Sequence, residues 1–170
     1  HNPKKRVKNG VSKTPVFRIS LVCLMAGVVS LFILNRNGSL IYSLETQAST
    51  QLSSNDKIRL SSTFHGISAI AAQISPVRRS GGAFGFLQTT GIRSLDADTF
   101  RLQCFHTATL MKIFCVMLPP YVDVEPLLRQ VYSHYSDYVL KNPFYELDMP
   151  IRSEAFEKEV QRSLSEFSSR

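Results

Sequence analysis

His134, Ser136 and Asp137 supply the three residue types of an acyl-transfer relay within four consecutive positions. A relay needs hydroxyl, imidazole and carboxylate in one hydrogen-bonded line. Helical neighbours one or two apart do not face each other, so this trio cannot form that line locally. Cys104 and His106 are metal-ligand types, yet two groups do not make a tetrahedral set. His65 has no second ligand one turn away and reads as a surface or edge histidine. The four glycines of 78–91, RRSGGAFGFLQTTG, suggest a phosphate cradle. Such a cradle needs a strand before it, a helix after it and usually a closing lysine, and this segment has none of the three. No nucleophile elbow, Walker loop or HExxH occurs. No catalytic residue, metal ligand or cofactor is expected.

The informative segment is 141–152, KNPFYELDMPIR. Pro143 and Pro150 disfavour helical backbone at Asn142 and Met149, which predicts a stiff, extended link. Phe144, Tyr145, Met149 and Ile151 ride on it, flanked by Lys141 and Arg152. Two readings stand side by side. These side chains staple the last helix to the core, or they form a preorganised knob for a protein partner, since aromatics and arginine dominate binding hot spots.

Several elements must position that link. Residues 28–34, VVSLFIL, read as a strand. Asn35-Arg36-Asn37-Gly38 follows as a tight hairpin turn with positive φ at both central positions, and a second strand pairs back through Tyr42. Ser54 or Asn55 can cap a helix whose apolar positions Leu60, Phe64, Ile67, Ala71 and Ile74 recur at helical spacing until Pro76. Three short strands come next, around Ile92 and Leu95, over 100–104 and over 111–118. A helix from Asp123 presents Leu127, Leu128, Val131, Tyr132, Tyr135, Tyr138 and Val139. The last helix is capped by Ser153, with the stripe Phe156, Val160, Leu164 and Phe167. This order predicts an α/β (α+β) domain: five mostly antiparallel strands with helices on both faces.

Composition narrows the class. At 170 residues the chain has room for one domain. Of its net charge of +7, six units come from Lys4, Lys5, Arg6, Lys8, Lys13 and Arg18, and elsewhere 14 basic residues face 13 acidic ones. A near-neutral body argues against nucleic acid as a partner. The odd count of Cys23, Cys104 and Cys115 suits a reducing compartment, with thiols serving as small buried hydrophobes. A charge-free run of 16 residues, 19–34, follows the basic leader. It is short for a membrane span, so the expected division is a basic extension over 1–24 and a domain over 25–170. The alternative is a membrane-anchored, SNARE-like protein using 16–34 as its anchor.

The block YSDYVLKNPFYELDMPIR, 135–152, resembles the signature of the synbindin-like subunits of the TRAPP complex. Asn55-Asp56 through Phe64-His65, Gln73 to Pro76, Asp98-Thr99-Phe100 and the hairpin ending Leu40-Ile41-Tyr42 also resemble that family. The basic leader and the glycine-rich 79–90 loop depart from it. The resemblance covers about 25–170 and implies a longin (profilin-like) fold. It further implies a place in a tethering assembly that activates a Rab GTPase in ER-to-Golgi transport. Its partners would be other TRAPP subunits and, through them, the GTPase. The chain would work in the cytoplasm, at endoplasmic reticulum and cis-Golgi membranes, through peripheral association. The partner-binding residues so implied are Ser136, Asp137, Lys141, Asn142, Pro143, Phe144, Tyr145, Met149, Pro150, Ile151 and Arg152.

Overall fold

The computed structural model describes residues 27–46, 52–75 and 91–168. The basic leader, Cys23, Met25 and the 79–90 loop lie outside the described residues. Five strands form one sheet: β1 (Val28–Leu34), β2 (Leu40–Glu45), β3 (Ser94–Asp96), β4 (Arg101–His106) and β5 (Lys112–Met117). Their order is β2-β1-β5-β4-β3, and every pairing is antiparallel. Helix α1 (Ser54–Ile74) packs on one face, while α2 (Glu125–Tyr135) and α3 (Glu154–Ser168) pack on the other. The longin-like α/β arrangement expected from the sequence is present.

Alternation along the central strands builds two cores, because successive side chains point to opposite faces. Leu31, Ile33, Ile113, Cys115 and Met117 join Leu128, Val131, Phe156 and Val160 under α2 and α3. Phe32, Leu34 and Phe114 meet Phe64 of α1, the Phe64 and Phe114 rings lying 4.5 Å apart. Cys104 and Cys115 are free and buried, one in each core, and burial pushes both thiols up to about 12. They are apolar filling. Because Val28–Leu34 is a buried inner strand, the anchor reading of 16–34 fails over its C-terminal half. No helix among the described residues is long and apolar enough to cross a membrane.

Three local expectations are corrected. The β1–β2 turn takes positive φ only at Gly38, at 86°. The Oδ1 of buried Asn35 accepts the N–H groups of Asn37 and Ser39 at 3.0 and 2.8 Å, so the side chain organises the turn and Asn37 needs no left-handed backbone. Helix α1 is capped one residue earlier than expected, by Ser53, whose Oγ accepts from the Asp56 N–H. Its buried face is Ser61, Phe64 and Ser68, while Ile67 and Ile74 are exposed. Two small serines flank Phe64 on the buried face, and the isoleucine row is left pointing outward.

Candidate partner-docking surface

Helix α2 starts at Glu125, whose N–H donates to Asp123 Oδ1 at 3.1 Å. It ends in one wide π turn, Ser136–Leu140, in which Val139 is buried while Tyr138 and Leu140 are exposed. Ser136 is half-buried. The relay types of this stretch separate. His134 Nε2 lies 3.0 Å from Ser163 Oγ on α3, and Asp137 accepts from Lys141 Nζ at 2.7 Å. That bond to Asp137 holds the Lys141 ammonium above the usual lysine range.

The link to α3 is two turns rather than an extended strut. In the first, the Tyr145 N–H donates to the Asn142 carbonyl at 3.1 Å, with Pro143 at the second position. Proline presets φ there, and the Asn142 side chain also accepts the Phe144 N–H at 3.1 Å. In the second, the Met149 N–H donates to the Glu146 carbonyl at 3.3 Å, and Asp148 takes φ of 71°. Aspartate tolerates that left-handed backbone better than most residues. Beyond its own φ, proline restricts only the residue before it, so Asn142 and Met149 are constrained while the residues between them bend.

These turns sort the side chains. Ile151 is buried, and its N–H donates to the Ile41 carbonyl on the edge strand β2 at 2.9 Å. Tyr145 packs on the α2/α3 core beside Tyr135 and donates its hydroxyl to the Met149 carbonyl at 2.8 Å. Burial raises the pKa of both tyrosines. Ile151 and Tyr145 are the staple. Phe144, Leu147 and Met149 point away from the core, 92%, 73% and 53% exposed. Lys141, Asn142, Pro143, Pro150 and Arg152 are exposed around them. A concavity of about 360 Å³ lies between Tyr138, Phe144, Met149 and Arg152. Leu147 and Leu140 were absent from the expected set. For Leu147 the signal was apolar character on a segment with no helical or strand periodicity to absorb it.

The geometry of this linker offers exposed apolar contact area. Among the described residues, no three His, Cys, Asp or Glu side chains could jointly hold a metal.

The Sybindin-like family model matches residues 28–167 of this chain. Trafficking protein particle complex subunit 4 of Dictyostelium discoideum is 43% identical over 135 residues, covering 79% of this chain and 94% of the relative. The Bos taurus protein of the same name is 42% identical over 114 residues, which cover 67% of this chain and 48% of the relative. The chain thus spans about half the length of the mammalian relatives it matches. Trafficking protein particle complex subunit 1 of Dictyostelium discoideum is 23% identical over 132 residues, covering 76% and 88% of the two chains. The match runs from the first residue of β1 to the last turn of α3, and the chain belongs to the Sybindin-like family.

Proposed function

We propose that this chain is a non-catalytic core subunit of a TRAPP-type tethering assembly, and that the 136–152 segment docks neighbouring subunits or the GTPase the assembly serves. Its relatives carry the name of a trafficking particle subunit, which supports membership of such a complex. The observation that carries the docking role is the exposure of Phe144, Leu147 and Met149 on a linker whose backbone is already fixed by its own hydrogen bonds. Large apolar side chains held rigidly in water lose little entropy on binding. The assembly acts in ER-to-Golgi transport at cytoplasmic membrane surfaces, and the chain contributes to Rab guanine-nucleotide exchange without performing it alone.

Reconstituting the complex with and without this chain, and following nucleotide release from its Rab, tests the reading. Slower release or a complex lacking adjacent subunits is expected without the chain. An intact complex with unchanged release removes the exchange role.

A further inference from the structure

Among the described residues, Lys112 is the one lysine that the fold half-encloses without giving it a carboxylate partner. It opens β5, where it pairs with Leu34 of β1 on one side and His106 of β4 on the other. Ile113 belongs to the α2/α3 core and Phe114 to the α1 core, so strand alternation puts Lys112 on the α1 face with Phe114. There His65 of α1 brings its Nδ1 to 3.3 Å from Lys112 Nζ. The other described lysines differ. Lys57 pairs with Glu45 at 3.2 Å and Lys141 with Asp137 at 2.7 Å, while Lys158 is exposed.

The groups around this amine are neutral or basic. His65 comes from α1, Cys104 and His106 from β4, and the apolar Leu34 from β1. Burial pushes the Cys104 thiol up to about 12, so it carries no charge at physiological pH. Both histidines are lowered, first by burial, with Lys112 acting in the same direction, and both rings are therefore neutral there. Burial also lowers the pKa of Lys112 itself, while Cys104 acts the other way. An ammonium in such a setting sheds its proton more readily than one in water. With its own proton on Nε2, the His65 ring presents Nδ1 to the amine as an acceptor. Gly38 of the β1–β2 turn backs that ring so closely that an added Cβ would collide with it.

We propose that Lys112 is an acylation site that takes its acyl group from small thioesters, with His65 Nδ1 receiving the proton of the attacking amine. The amine nitrogen bonds to the thioester carbonyl carbon, and the proton it sheds passes to His65. The carbon–sulfur bond then breaks, the departing thiolate takes that proton, and an amide and a free thiol remain. Nothing is oxidised or reduced. The amide is uncharged, so the half-buried position loses the charge that burial disfavours. The proposal goes beyond the docking role, because it assigns covalent modification to the α1 face, across the sheet from the α2/α3 layer.

Incubating the folded full chain with acetyl-coenzyme A and following each lysine by peptide mass spectrometry tests it. Acetylation at Lys112 is expected to run severalfold faster than at exposed Lys158, and its rate should level off at a lower pH. Unfolding in urea should erase both differences, and their persistence there would overturn the proposal by removing the fold from the cause. His65→Ala separates acceptor from access. Opening the site predicts faster acetylation of Lys112, whereas losing the proton acceptor predicts slower, and the slower rate is expected. An unchanged or faster rate overturns the assigned role of His65. The comparison within the unsubstituted chain needs no variant, so it decides the matter even where His65→Ala destabilises the fold. A Lys112 rate at or below that of Lys158 in the folded chain overturns the proposal outright.

Discussion

The Tyr145 hydroxyl donates to the Met149 carbonyl at 2.8 Å, tying the first turn of the α2–α3 linker to the end of the second. One side chain thereby couples the staple to the knob. Tyr145→Phe keeps the ring in the core and removes only this donor. The expected cost is about 0.5–1 kcal/mol of stability, measured by urea unfolding. Faster amide exchange at Met149 and weaker partner binding should accompany it. Unchanged exchange there would show that the bond does not hold the second turn.

Phe144→Ala with Leu147→Ala removes the two most exposed apolar side chains of the linker. Because neither belongs to the buried core, the unfolding midpoint should move by no more than about 0.5 kcal/mol equivalent. Co-purification with neighbouring subunits should fall sharply, since exposed aromatic anchors cost several kcal/mol of binding when truncated. A large loss of stability with binding intact would return both residues to the staple. Ile151→Ala is the counterpart. It opens a cavity beside Ile41 and should cost about 2–4 kcal/mol of folding stability.

The strands and the two C-terminal helices were legible because their apolar periodicity coincides with burial: Leu127, Leu128, Val131, Phe156 and Val160 face the core as expected. Helix α1 lies where expected, with Leu60 and Phe64 on the core, but Ile67 and Ile74 of its stripe are exposed for the converse reason. Its isoleucines repeat at helical spacing, yet the sheet is approached by Ser61, Phe64 and Ser68, and serine carries no apolar signal. A periodic stripe says which face avoids water and not which partner covers it. The linker was located correctly but given the wrong shape. Its turn information lies in the Asn142 side chain and in the left-handed Asp148 more than in its prolines. The division of Ile151 from Phe144 depends on the Ile151–Ile41 hydrogen bond, a contact between residues 110 positions apart.

Acid should weaken the fold through His106. Burial lowers its pKa, and nearby Lys112 and Arg93 act in the same direction, while its ring Nε2 sits 2.9 Å from the Ile92 carbonyl. His65 is also lowered, first by burial and then by Lys112. An unfolded histidine titrates near about 6.5, so below that pH the unfolded chain binds more protons than the folded one. Stability from these groups is therefore full above about pH 7 and declines as the solution is acidified through 6. Urea unfolding at several pH values should show that slope, and His106→Gln should flatten it. A slope unchanged by the substitution would assign the acid sensitivity to other groups.

Gly38 tests the contact between the β1–β2 turn and α1. Its φ of 86° disfavours any side chain, and an added Cβ would collide with the His65 ring. Gly38→Ala therefore carries two penalties, a backbone cost of about 1 kcal/mol and a displaced imidazole. The second disappears when His65→Ala is already present, because the colliding ring is gone. A double-mutant cycle should give a coupling of about 1 kcal/mol or more between these positions, read from unfolding free energies. Additive effects would mean that the ring swings aside without cost, so that His65 does not fix how α1 sits against the turn.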